Sequence, residues 1–140
     1  MIRPMINRDS AYFWDGAREK ELRIQSCGAC GTLRHPPGPS CPTCGAFDRS
    51  YVVAPGLGTV FSFVIHRHPP VPGKELPLVI ALIDLDDPPL PGASVPAGGA
   101  PRVRMVGEVP GELDLAIGDR VRVDWQFIDD ELTLPVWRRA

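Results

Sequence analysis

Apolar positions along this chain follow two different spacings. Between Asn7 and Leu22, the residues Tyr12, Phe13, Trp14 and Ala17 alternate with the polar run Arg18-Glu19-Lys20-Glu21, which predicts one short helix capped by Asn7 or Asp9. From Gly56 onward the period drops to two and turn residues interrupt every run. Strands are predicted at Thr59–His66, Leu78–Leu85, Val103–Val109, Arg120–Phe127 and Leu132–Trp137. In the first, Phe61, Phe63 and Ile65 share one face, and Val60, Ser62 and Val64 the other. The second is almost continuously apolar and is expected to be central and buried on both faces. Leu113, Leu115 and Ile117, followed by Gly118-Asp119, read as a turn or a short helix leading into the fourth strand. Asp86 to Pro101, dense in Pro and Gly, is expected to be a long loop. Five short antiparallel strands in roughly 80 residues suit a small barrel, and the OB-fold is the common five-stranded solution.

Composition narrows this picture. The chain has 140 residues, enough for one ordinary domain or a small module joined to a larger one. Its 17 Pro and 14 Gly favour turns and short strands over long helices, so the fold class is mainly β. The longest apolar run, Leu78 to Ile83, is too short to span a bilayer, and Met1-Ile2-Arg3-Pro4 leads into no signal-type segment, so a cytoplasmic protein is expected. Residues 1–50 carry seven Arg/Lys against five Asp/Glu, whereas residues 51–140 carry eight against twelve. The larger part is therefore acidic, which argues against a phosphate-backbone binder.

The strongest motif is Cys27-Gly28-Ala29-Cys30-Gly31, ten residues from Gly31 to Ser40, then Cys41-Pro42-Thr43-Cys44-Gly45. Each Cys-x-x-Cys places two sulfurs on one edge of a tetrahedron, so Cys27, Cys30, Cys41 and Cys44 are expected to hold one structural Zn²⁺ with no position left for water or substrate. Gly31 and Gly45 follow the knuckles where a positive φ is needed. Iron in a rubredoxin-type site uses the same ligands, and dithiol redox chemistry suits a lone pair; the short spacer and the proximity of the two pairs favour zinc. The segmentation that follows is a helical stretch at 1–25, a rubredoxin-like zinc ribbon at 26–50 and an OB-fold barrel at 51–140.

Tyr12, Phe13 and Trp14 crowd three rings onto a helix that is marginal alone, so they either cover the chain's own core or dock on another protein. No Ser/His/Asp or paired-carboxylate set can be assembled around His35, His66 and His68, so no catalytic residue is expected. His66 and His68 are placed on one strand face with Arg67 on the other, and the simplest role for them is a solvated strand end. OB-folds and zinc ribbons are also found in single-strand nucleic-acid binders, but Leu78–Leu85 and Val103–Val109 contain no aromatic ring for bases to stack on.

The order of aromatic helix, four-cysteine ribbon and barrel resembles the zinc-ribbon/OB-fold acyl-CoA-associated family, formerly domain of unknown function 35. The resemblance runs from about Arg3 to Trp137 through Tyr12-Phe13-Trp14, Leu22-Arg23-Ile24-Gln25, Leu33-Arg34-His35-Pro36-Pro37 and Gly58-Thr59-Val60-Phe61-Ser62. His66-Arg67-His68-Pro69-Pro70-Val71-Pro72-Gly73 and Asp129-Asp130-Glu131-Leu132-Thr133-Leu134-Pro135 are similar to the C-terminal domain of a bacterial steroid side-chain enoyl-CoA hydratase subunit. That resemblance implies a thiolase-fold aldolase as partner in a hetero-oligomer, an acyl-CoA shared with it, and a non-catalytic supporting role; other members are scaffolds for thiolases or hydratases. If Tyr12, Phe13 and Trp14 dock on another protein, that aldolase is the candidate, and the functional reading of His66, Arg67 or His68 places it near a partner's active-site mouth, where a cation could meet CoA phosphates. The Asp86–Pro101 loop departs from the usual tight turn, and no hydratase domain precedes Arg3, so the chain is expected to be a stand-alone subunit or a module of a longer one.

Overall fold

The computed structural model describes residues 1–86 and 103–140. It contains one helix, α1 (Ala11–Arg18), and eight strands: β1 (Leu22–Cys27), β2 (Leu33–Arg34), β3 (Arg49–Ala54), β4 (Leu57–His66), β5 (Leu78–Leu85), β6 (Arg104–Glu108), β7 (Arg120–Asp129) and β8 (Leu132–Arg139). They form a three-stranded sheet in the order β2-β1-β3 and a five-stranded sheet in the order β6-β5-β4-β7-β8, both antiparallel. The expected mainly β architecture is present, with the five barrel strands at their expected positions. Apart from Asp86, the expected long loop lies outside the described residues.

The helix is shorter than the Asn7-to-Leu22 expectation at both ends. Asn7 caps the turn that precedes it, its Oδ1 accepting from the N–H of Asp9 at 2.9 Å and of Ser10 at 3.1 Å. Asp9 does not cap; its carboxylate is paired with Arg49 at 2.6 Å. At the other end Lys20 adopts φ 61°, Glu21 N–H donates to Gly16 O at 2.8 Å and Lys20 N–H to Ala17 O at 3.0 Å. That pair of bonds is a Schellman stop. The Arg-Glu-Lys-Glu run has good helix propensity, but Leu22 and Ile24 bury their side chains at strand spacing, and burial outweighs propensity.

β4 carries a bulge between Val60 and Ser62, where the pairing with β5 slips by one residue. The slip corrects the expected face: Val60 is buried, Phe63 and Ile65 pack on the core, and Phe61 turns outward, 45% exposed, under the Arg104 guanidinium at 3.4 Å. β5 also differs from expectation. Val79, Ala81, Ile83 and Leu85 are buried, but Ile80, Leu82 and Asp84 on the other face are only half-buried.

One core runs through the whole molecule, joining Phe13 of α1, Leu22, Ile24 and Ala54 of the three-stranded sheet, and Val60, Ile83, Met105, Val121 and Trp137 of the barrel. The three-stranded sheet draws on all of the segments 1–25, 26–50 and 51–140 through β1 and β3, whose register runs from Leu22↔Ala54 to Cys27↔Arg49. β6 and β8 share no ladder. Between them lies the ring of Trp137, 0% exposed, on the bare backbone of Gly107, where an added Cβ would come within 2.3 Å of Cδ1. Gly107→Ala is accordingly expected to lower stability by about 2 kcal/mol or more through overpacking, measured by denaturant unfolding; a loss under about 0.5 kcal/mol would contradict this seam.

Candidate metal centre and neighbouring surfaces

The two cysteine knuckles are built alike. Cys27 N–H donates to Thr32 O and Gly31 N–H to Cys27 O, each at 2.9 Å; Cys41 N–H donates to Ala46 O and Gly45 N–H to Cys41 O, also at 2.9 Å. Gly31 and Gly45 both have φ of 76°, as the turn requires. The four Sγ atoms lie within 4.8 Å of one another, with Cys27–Cys44 and Cys30–Cys41 at 3.6 Å. A tetrahedron with Zn–S bonds of about 2.3 Å has edges of about 3.8 Å, so the donor set fits one ion. Cys27 and Cys41 are buried, whereas Cys30 and Cys44 face solvent.

The electrostatics of the four thiols also favour a cation. Cys41 is drawn down to about 6, chiefly by the Cys44 N–H and also by the Thr43 N–H. The Ala46 N–H favours the Cys44 thiolate too, but the adjoining Cys30 and Cys27 sulfurs and burial push Cys44 up to about 12. Four thiolates so close together cannot all ionise by themselves; a divalent ion at their centre removes that conflict.

The ribbon is locked by a pair of side chains outside the cysteine motif. Gln25, buried on β1, accepts at Oε1 from Arg34 Nε at 2.7 Å and from Gly38 N–H at 2.9 Å, and donates through Nε2 to Gly38 O at 2.9 Å. Arg34 also donates to the carbonyls of Gly38 and Ser40. Together they hold the Pro36–Ser40 connection between the knuckles. The period-two run Leu22-Arg23-Ile24-Gln25 was the available signal, because it places Gln25 opposite Arg34 once β1 is recognised as a strand.

The three rings on α1 divide. Phe13 is 6% exposed and belongs to the core; Tyr12 and Trp14 are half-buried. Tyr12 stacks on Tyr51 with centroids 6.0 Å apart, and Trp14 meets Phe13 edge-on at 5.0 Å. His35 packs against Phe13 at 5.3 Å, and burial pushes its imidazole down to about 4. β4 ends at His66, so His66 and His68 do not share a strand face: Arg67 and His68 lie in the exposed chain beyond it, and the His66 ring Nε2 lies 2.8 Å from Pro69 O. The structure thus brings the four cysteines together, whereas His66, Arg67 and His68 lie at the end of β4 and in the exposed chain beyond it.

Residues 14–48 match the family described as the ChsH2 rubredoxin-like zinc ribbon domain, and residues 51–126 match the ChsH2 C-terminal OB-fold domain. The chain belongs to the ChsH2 family. It is 45% identical over 138 residues to the probable enoyl-CoA hydratase alpha subunit of Thermomonospora curvata, covering 99% of this chain and 40% of that one. It is 44% identical over 127 residues to the 3-oxo-4,17-pregnadiene-20-carboxyl-CoA hydratase alpha subunit of Mycobacterium tuberculosis, covering 89% of this chain and 36% of that one. The chain therefore spans about two-fifths of the length of these curated relatives. Among solved structures, a chain of the Ltp2-ChsH2(DUF35) aldolase matches with a TM-score of 0.80 at 44% identity, covering 98% of each chain. A protein of unknown function from the DUF35 family of Sulfolobus solfataricus matches with a TM-score of 0.59 at 16% identity, over 96% of this chain and 87% of that one, which shows the shared fold alone.

Elemental analysis is expected to find about one zinc per chain, and Cys41→Ser to lose the metal together with the ribbon's fold, since metal-binding energy is folding energy in so small a module. Iron, or a disulfide between any two of the four cysteines, would contradict this. A second expectation concerns acid. His35 has a folded pKa of about 4 against 6.5 in the free side chain, so the unfolded chain takes the proton first. Its contribution to stability is complete above pH 6.5 and is lost as the pH falls toward 4, by about 2 kcal/mol at pH 5. His35→Gln should flatten the stability-versus-pH profile by that amount relative to the parent chain; parallel profiles would refute it.

Proposed function

We propose that this chain is a zinc-bearing accessory subunit that supports a thiolase-fold aldolase, which cleaves a steroid side-chain acyl-CoA by a retro-aldol reaction, and that it contributes no catalytic residue of its own. The observation that carries this reading is the end-to-end likeness to the ChsH2(DUF35) chain of a solved aldolase, at a TM-score of 0.80 and 98% coverage of both chains. The steroid acyl-CoA follows the pregnadiene-carboxyl-CoA named for the Mycobacterium tuberculosis relative. A non-catalytic role is supported by the donor set, since four thiolates complete a tetrahedral metal and leave it no open position. Among the described residues, no helix is long and apolar enough to cross a membrane, which suits a subunit of a cytoplasmic lipid-degrading complex.

A second reading, a scaffold subunit for another acyl-CoA hydratase or thiolase, is favoured by the hydratase name of the Thermomonospora curvata relative. Nucleic-acid binding has less support. Among the described residues of the barrel part, Lys74, Arg104, Arg120, Arg138 and Arg139 are each tied to a carboxylate, which leaves few cations for a basic track. No steeply salt-dependent binding to single-stranded DNA or RNA is therefore expected at physiological salt; micromolar binding that weakens as salt is raised would revive that class.

Mixing the chain with the Ltp2 component of the solved aldolase is expected to give a stable complex that cleaves the steroid acyl-CoA, with neither component active alone. Trp14→Ala should weaken that complex by about 2 kcal/mol or more while the zinc content of the isolated chain stays unchanged. If the substitution instead destabilises the isolated chain and the folded fraction binds normally, α1 serves only the chain's own core.

A further inference from the structure

In the three-stranded sheet β3 pairs with β1 alone, in an unbroken register from Leu22↔Ala54 to Cys27↔Arg49. One step beyond that register, Gly28 N–H donates to Asp48 O at 3.3 Å. Antiparallel alternation then puts Ser50, Val52 and Ala54 in the set that bonds to β1. Arg49, Tyr51 and Val53 turn their backbone N–H and C=O the other way, where no described backbone group meets them.

Both faces of β3 are already in use. Val52 packs on the common core, while Tyr51 stacks on Tyr12 and lies under the Arg23 guanidinium at 4.6 Å. What remains open is the edge, along which Phe47, Tyr51 and Val53 stand 76%, 42% and 44% exposed. Soluble proteins commonly blunt such an edge with proline, a bulge or a free charge. Arg49–Ala54 has neither Pro nor a register shift, and its one charge, Arg49, is tied to Asp9 at 2.6 Å.

The edge is complementary to itself. Under a two-fold axis at Tyr51, Arg49 of one copy falls opposite Val53 of the other, Ser50 opposite Val52, and Tyr51 opposite Tyr51. Every outward N–H then meets an outward C=O, because the residues brought together are those that turn away from β1. No like charges face each other, and the central pair is aromatic, which favours cross-strand contact. Neighbouring two-fold registers are worse. Centred on Arg49, the pairing sets two guanidinium groups face to face; centred on Val53, it puts Tyr51 opposite Pro55, which has no N–H to give.

We propose that β3 pairs with β3 of a second copy about a two-fold axis at Tyr51, joining the two three-stranded sheets into one. The strand has 6 residues, against about 20–30 a side in a standard interface, so the dimer is weak, with a dissociation constant on the order of 100 µM. The full chain is studied by itself, so the result does not depend on the aldolase reading. Sedimentation equilibrium from about 10 µM to about 1 mM, a range that brackets that constant, should show a monomer passing into a dimer. Across the same range, deuterium exchange at the amides of Arg49, Tyr51 and Val53 should slow at least about threefold, while Ser50, Val52 and Ala54, bonded to β1 throughout, stay unchanged. Val53→Pro removes an outward N–H that takes no part in the β1 ladder, a position where an edge strand tolerates proline. It is expected to weaken the dimer at least about tenfold, whereas Val53→Thr, which keeps the donor, stays within about threefold. The exchange measurement is made on the parent chain, so it decides the question even if Val53→Pro fails to fold. A chain that stays monomeric to about 1 mM overturns the pairing, as does a dimer whose three outward amides exchange unchanged or whose folded Val53→Pro form associates like the parent. Slowing at those amides that appears only when the Ltp2 component is added assigns the edge to a different chain and equally overturns it.

Discussion

Four sulfurs within 4.8 Å of one another are the constraint on which the ribbon depends. They come from two turns separated by ten residues, and the connection between them has little apolar side chain of its own. Without a central cation the neighbouring sulfurs of Cys30 and Cys27 hold the Cys44 thiol well above its ordinary value. With it, each knuckle closes on its own backbone bonds, and the Gln25–Arg34 pair fixes the chain between them. Because β1 ends at Cys27 and carries Leu22 and Ile24 into the common core, order at the metal is transmitted directly to the barrel.

The coupling continues through the other side of the core. Phe13 reaches it from α1, and Trp137 closes the seam between the terminal strands of the barrel by packing where a ladder is missing. The same seam opens into the cleft beside Trp14 and His35. The helix and the knuckle connection that wall the cleft also rest on the core that the metal-bound ribbon orders.

The metal ligands were legible because their chemistry is local: Cys-x-x-Cys states its geometry within four residues. The barrel strands were legible for a similar reason, since short apolar runs bounded by turn residues, such as Leu78–Leu85 after Pro77, stand out along the chain. β1 and β3 were not, because neither forms without the other, and Arg-Glu-Lys-Glu before Leu22 imitates a helix until Leu22 and Ile24 find a core. The β4 bulge was hidden for a related reason: one inserted residue reverses every later side chain, and only the partner strand reveals it. His66 and His68 share a face only while the strand continues, and it stops at His66.

A closed thiolate site is a scaffold, whereas a site with an open position would be a reaction centre, so the account turns on what surrounds the ion. X-ray absorption at the zinc edge of the purified chain measures this most directly. The account predicts a single shell of four sulfurs at about 2.3 Å and no lighter ligand. An oxygen or nitrogen at about 2.0 Å replacing one of those sulfurs would contradict it, because the ion could then admit water or substrate.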